Sequence, residues 1–132
     1  MIFGVVGNRI GWNSKFIFSK LDELILKRSD IIISGGCEGV DSFAQDYAKE
    51  KGLEIIIVYP RPWLPSPQRY FDRNTEIATR CDVLVAFDKG SSGSGTLNTI
   101  NTAKKDNKRV ILFKNEKEIK KLKKVIKEKN LK

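Results

Sequence analysis

The sequence predicts an α/β fold with three layers, helices covering both faces of a doubly wound, mostly parallel five-stranded sheet. Three observations predict it. Five short runs rich in Ile and Val alternate with stretches of helical periodicity. The runs are apolar at nearly every position, as strands covered on both faces should be. Three Gly-containing loops each leave a strand and enter a helix, which puts all three at the carboxyl edge of the sheet, where such folds bind ligands. Strict alternation of strand and helix implies parallel pairing through right-handed crossovers.

The strands span 2–6, 31–34, 55–59, 83–87 and 110–113. After the first, 14–27 places Ile17, Leu21, Leu24 and Ile25 on one helical face, with Asn13 or Ser14 as the N-cap. After the second, Val40, Phe43, Ala44, Tyr47 and Ala48 recur at helical spacing, and Gly52 can end that helix. Residues 60–67 hold all four prolines, so this stretch is neither helix nor sheet interior. It is a stiff connector or a lid, and it carries Arg61 and Trp63 to the ligand edge. Arg73-Asn74 opens the third helix, whose inner face is Phe71, Asn74, Ile77, Ala78 and Cys81. Leu97, Ile100 and Ala103 mark the fourth. At the end, Ile119, Leu122, Val125 and Ile126 fall at helical spacing within a Lys-rich segment. Residues 114–132 therefore read as a docked amphipathic helix with its lysines in water. The expected organisation is one domain over 1–132.

Composition narrows the function. Apolar content is 40% and charged content 31%, ordinary for a soluble protein. No apolar run approaches the roughly 20 residues of a membrane helix. The start lacks a basic n-region and reads as a strand, so a cytoplasmic protein is expected. Cys37 and Cys81 have no metal-like spacing, and the chain has no histidine. That excludes a Ser-His or Cys-His catalytic pair and argues against zinc; no metal or cofactor is expected. Net charge is +9, of which 114–132 contributes nine lysines and three glutamates. Anionic partners follow in general, nucleic acid among them, but a solvated helix face explains the tail better.

The chemistry sits in the loops. Ser91-Ser-Gly-Ser-Gly-Thr96 joins a buried strand to a helix and makes an anion cradle: glycines allow close approach, and the first helical N–H groups have no internal partner. Gly4-Val-Val-Gly-Asn-Arg9 and Ser34-Gly-Gly-Cys-Glu-Gly39 are two further junctions of this kind. Together they point to a pocket for a phosphorylated small molecule. Arg9 suits phosphate oxygens, or it pairs with Glu38 or Asp41. Trp12 and Trp63 stack on a base, or the first covers the sheet edge and the second packs on the protein as part of a rigid connector. Asp41 braces its loop through backbone N–H groups. Cys37 is an inert thiol. Asn74 faces inward and needs partners, which a ribose or a neighbouring loop would supply.

These motifs, in this order and spacing over residues 2 to 113, resemble the SLOG superfamily, which includes DNA-processing protein A, the YspA-like proteins and the Lonely-Guy phosphoribohydrolases. The Gly39-Val40-Asp41 stretch and Ser94-Gly95-Thr96 followed by Asn98-Thr99-Ile100 look nearest to the YspA-like branch. The resemblance implies a Rossmann-like sheet, a nucleotide or nucleotide-derived ligand, and a homodimer. It implies a pocket lined by Gly7, Asn8, Arg9, Ser34, Gly35, Gly36, Arg73, Asn74, Ser92, Gly93, Ser94, Gly95 and Thr96. Two departures count. Asn98 stands where the resembling enzymes are expected to carry a glutamate, and Thr75 where DNA-processing protein A has a further Arg after Arg-Asn. An amide cannot act as a general base. The resulting expectation is a non-catalytic sensor or sequestering protein. The alternatives are an N-glycosidic hydrolase using Asp88 or Glu38, and a DNA-binding protein using Arg9, Arg73 and the tail.

Overall fold

The structure, a computed structural model, describes residues 1–25, 27–90 and 95–116. From residue 117 on, the expected tail helix lies outside the described residues. Among the described residues nine elements alternate: β1 (Ile2–Gly7), α1 (Ser14–Leu24), β2 (Ile31–Gly35), α2 (Val40–Lys51), β3 (Glu54–Val58), α3 (Gln68–Arg80), β4 (Val83–Phe87), α4 (Gly95–Lys105) and β5 (Arg109–Phe113). The strands form one sheet in the order β3-β2-β1-β4-β5, every pair parallel. This is a three-layer, Rossmann-like arrangement.

Alternation along β1 shows how the layers form. Phe3 and Val5 face α1 and α2, packing with Ile17, Leu21, Val40, Ala44 and Tyr47. Val6 faces the opposite side, where Ile33, Leu84 and Ala86 meet Ile77, Ala78, Ile100 and Ala103 of α3 and α4. Gly4 on that side leaves room for Cys81 and Leu84, whose atoms would stand 3.0–3.1 Å from an added Cβ. Both faces are covered, so the strands carry apolar residues at consecutive positions.

The helix ends differ from expectation at two places. α1 stops at Leu24, with Ile25 in extended conformation. α3 starts at Gln68, directly after the last proline, so Arg73 and Asn74 sit in its second turn and not at its opening. Pro67 supplies the start: proline is tolerated where a helix has no N–H partner to lose. Asn13 is the N-cap of α1, its side chain accepting from Lys15 N. Gly52 ends α2 in the left-handed conformation, φ 68°.

Candidate functional site

Sheet order reverses between β1 and β4, because the chain leaves β1 for β2 on one side and returns to β4 on the other. The crossovers diverge there and leave a crevice at the carboxyl edge. A cavity of about 450 Å³ occupies it. Gly7, Asn8 and Arg9 come from the end of β1, Cys37 and Asp41 from the β2–α2 junction, and Gly95, Thr96 and Thr99 from α4. Pro67, Tyr70, Phe71, Arg73, Asn74 and Ile77 form the wall contributed by α3 and the residue before it. All three strand-loop-helix junctions therefore converge on one cavity.

Arg73 dominates its electrostatics. The residue is 7% exposed. Its Nε donates to Asn74 Oδ1 at 2.8 Å, and Nη1 and Nη2 both reach Cys37 Sγ at 3.5 Å. No carboxylate lies within ion-pair distance of it among the described residues. A thiol and an amide oxygen are weak partners for a buried guanidinium. Gly35 makes room for this packing: an added Cβ would collide with Arg73 Nη1 and stand 2.8 Å from Asp41 Oδ2. Gly36 likewise makes room for the Tyr59 ring, 2.7 Å from such an atom.

Asp41, in the first turn of α2, backs this wall. Its Oδ2 accepts from Cys37 N at 3.3 Å and its Oδ1 lies 3.2 Å from Ser34 Oγ. Loss of hydration on burial pushes its carboxyl up from 3.8 to about 6, against the opposing charges of Arg73 and Arg9 and the hydrogen bonds from Cys37 N–H and Ser34. The bracing role expected for Asp41 is what the geometry shows.

The expected site residues divide. Gly7, Asn8, Arg9, Arg73, Asn74, Gly95 and Thr96 line the cavity. Arg9 is exposed and makes no ion pair with Glu38 or Asp41. Asn8 is a brace as well as a wall: its amide donates to Asp88 Oδ1 at 3.0 Å and accepts from Trp12 Nε1 at 3.0 Å and Lys89 N at 2.9 Å. Asn74 donates to Gly95 O at 3.2 Å, so a neighbouring backbone answers its need for a partner and ties α3 to the start of α4. Ser34 does not face the cavity; it is fully buried, with its hydroxyl on Val5 O. Gly35 and Gly36 also lie off the wall, because their open faces are filled by the chain's own side chains. Ser92, Gly93 and Ser94 lie outside the described residues.

Trp12 is a correction. It is 7% exposed, stacked on Phe16 at 5.7 Å and edge-on to Phe87 at 5.4 Å, so its ring belongs to the core and is not free to stack on a base. Trp63 is 76% exposed but is not part of the cavity wall. Arg61, from the same segment, pairs with Asp72 and Glu76 on the outer side of α3. Neither Asp88 nor Glu38 lines the cavity. Asp88 accepts from Asn8 Nδ2 and Gly90 N, a loop brace. Farther along α4, Thr99 lines the cavity and its neighbour Asn98 does not.

Sequence reading missed the apolar part of the wall: Ile10, Pro67, Tyr70, Phe71 and Ile77. The signal was present. Tyr70, Arg73, Asn74 and Ile77 are spaced i, i+3, i+4, i+7, which sets one face of a helix that begins at residue 68.

The sequence profile of the SLOG cluster4 family matches residues 1–132. No curated protein matches the chain. Among solved structures, DNA processing protein A from Streptococcus pneumoniae is similar, with a TM-score of 0.69 and 20% identity over 84% of this chain and 49% of that one. DNA processing protein A from Helicobacter pylori, described for its single-stranded DNA binding mode, gives 0.64 and 18% over 85% and 64%. The protein TM1055 gives 0.62 and 19% over 83% and 71%. The chain thus spans about half of the first of these proteins and less than two thirds of the second. At these identities the likeness is one of fold. The family match covers the whole chain, and the chain belongs to the SLOG cluster4 family.

Proposed function

We propose that this SLOG-family chain binds a nucleotide or nucleotide-derived small molecule in the cavity, with its phosphate at Arg73, and acts as a sensor or sequestering protein and not as a catalyst. The observation that carries this reading is Arg73, a cation 7% exposed that lines the cavity with no carboxylate at ion-pair distance among the described residues. A buried cation with no carboxylate in contact is costly, and an entering anion would supply that contact. The planar guanidinium suits phosphate oxygens two at a time. Arg9 offers a second cation, and α4 begins at the cavity with Gly95 and Thr96, where helical N–H groups lack internal partners. Tyr70, Phe71, Ile10 and Pro67 supply an apolar wall for a base.

The non-catalytic half of the reading rests on the carboxyl inventory. Asp41 is the one carboxyl group lining the cavity among the described residues, and it braces its own loop. The homodimer and the cytoplasmic location belong to the same proposal and rest on the resemblance of the motifs.

Calorimetry with a panel of nucleoside mono- and diphosphates and ADP-ribose tests it. At least one should bind, and Arg73→Leu should weaken that binding by about 1.5–3 kcal/mol, roughly ten- to hundred-fold. Equal affinity in a folded variant refutes the phosphate assignment. A second reading, single-stranded DNA, is favoured by the fold shared with DNA processing protein A and by the net charge of +9. Salt-dependent oligonucleotide binding without nucleotide binding would select it.

A further inference from the structure

Ser34 has one hydroxyl proton and two acceptors in reach. Its Oγ stands 2.5 Å from Val5 O and 3.2 Å from Asp41 Oδ1. Asp41 Oδ1 shares that proton with the Val5 carbonyl, and its other oxygen accepts from Cys37 N–H. What favours the neutral acid is burial: Asp41 is 6% exposed.

Charges around the group push the other way. Arg73 faces Asp41 from α3 and Arg9 from the segment after β1. Cys37 faces it from the loop after β2, and Asp41 lies in the first turn of α2, where the helix dipole favours an anion. The two arginines are also the cations that line the cavity. Anything that neutralises them weakens their hold on the Asp41 carboxylate.

Resting on the anion reading above, we propose that ligand and proton are linked at this site: an anion seated at Arg73 draws a proton onto Asp41, and the cavity binds anions more tightly in mild acid than in mild alkali. The sign follows from the groups named. A bound anion cancels the field of Arg73 and Arg9 and adds repulsion of its own, so Asp41 holds its proton to higher pH in the complex than in the free chain. In the free chain that proton is lost near pH 6. Affinity is therefore highest below that point and falls as pH rises, by up to about tenfold per pH unit, until the complex loses the proton too. By reciprocity, proton loss ejects the anion as strongly as the anion recruits the proton.

The probe is inorganic sulfate, whose charge is constant over the range used, unlike a phosphate monoester that itself titrates near pH ~6. The full native chain is titrated with sulfate at about pH 5.5 and about pH 8, following backbone amide resonances of the cavity. The Asp41 carboxyl carbon is titrated by NMR with and without saturating sulfate. Affinity should drop roughly tenfold from the acid to the alkaline condition, and the Asp41 midpoint should move up when sulfate is bound. Asp41→Asn should bind with one affinity at both pH values. Equal affinity in the native chain, with an unmoved Asp41 midpoint, overturns the linkage and leaves the anion site standing. Absence of any sulfate response, or a response retained in full by Arg73→Leu, overturns the anion reading and the linkage with it. If Asp41→Asn does not fold, the carboxyl titration of the native chain decides alone.

Discussion

Replacing Asp41 with asparagine isolates what the buried carboxyl contributes to stability. In the folded chain its carboxyl holds a proton to about pH 6, against 3.8 for the unperturbed group. The folded state binds more protons than the unfolded state between those values, so the contribution of Asp41 is complete below 3.8 and is lost as pH rises through about 6. At about 1.4 kcal/mol per pH unit, that interval is worth about 3 kcal/mol. Roughly 2 kcal/mol of it falls between pH 4.5 and 8. Asparagine is a neutral group of the same size: its oxygen can accept from Cys37 N–H, the contact Asp41 makes at 3.3 Å, and its amide can donate to Ser34 Oγ, which stands 3.2 Å from Asp41 Oδ1. Urea unfolding of both chains, followed by circular dichroism at pH 4.5 and pH 8, reads the difference directly. Asp41→Asn should gain on the native chain by about 2 kcal/mol between the two conditions, whatever its offset at either one. Other titrating groups cancel in the comparison. A stability difference that is the same at both pH values refutes the claim that Asp41 holds a proton in the fold.

Two further outcomes follow from the same wall. Gly35→Ala places a methyl group against Arg73 Nη1 and 2.8 Å from Asp41 Oδ2; it should destabilise by about 1–3 kcal/mol and weaken nucleotide binding together, and a stable variant with native affinity would show that Arg73 need not sit where it does. On α4, Thr99→Glu should put a carboxylate into the cavity and weaken anion binding at least tenfold, whereas Asn98→Glu should change affinity little, because Thr99 lines the cavity and Asn98 does not; equal effects of the two substitutions, read by the same nucleotide titration, would misplace that helix face.

Most of the fold was legible because its signals are local. Short runs rich in β-branched residues, such as Ile31-Ile-Ile and Val83-Leu-Val-Ala-Phe87, read as strands buried on both faces, and their alternation with helices implies the parallel pairing found. The place of the cavity was legible too, since a carboxyl-edge crevice at the reversal of strand order is a consequence of topology. What was not legible is which way particular side chains turn. Ser34, Gly35 and Gly36 have the composition of a phosphate loop, yet the close approach their small size allows is made by Arg73, Asp41 and Tyr59. Composition reports that something approaches closely and is silent on whether it is a ligand or the protein itself. Trp12 misled for a related reason: its position beside Arg9 suggested a base, but an indole with Phe16, Phe87 and the Asn8 amide in reach gains more by burial. The start of α3 shifted by a turn because proline ends one structure and can begin the next, and that shift alone moved Arg73 and Asn74 from a helix tip to a cavity wall.

That position for Arg73 is expensive, and the expense is itself informative. Taking a guanidinium out of water costs several kcal/mol even after the protein relaxes around it, and a full carboxylate partner is what ordinarily offsets this. Here the partners are one amide oxygen and one sulfur. Asp41 lies beyond ion-pair distance and burial pushes its carboxyl up to about 6, so it returns only part of the attraction a contacting carboxylate would give. Whole domains are stable by only about 5–15 kcal/mol. An apolar residue of similar volume would fill the same space between α3 and the β2–α2 loop at lower cost, so Arg73→Leu should fold at least as well as the native chain while losing the anion. A stabilised Arg73→Leu variant that has lost anion binding would show that the arginine serves the ligand and not the fold. Burial gives the charge its reach: in a wall of Tyr70, Phe71 and Ile77 the field of Arg73 is poorly screened, and a phosphate entering there would meet it at far more than its strength in water.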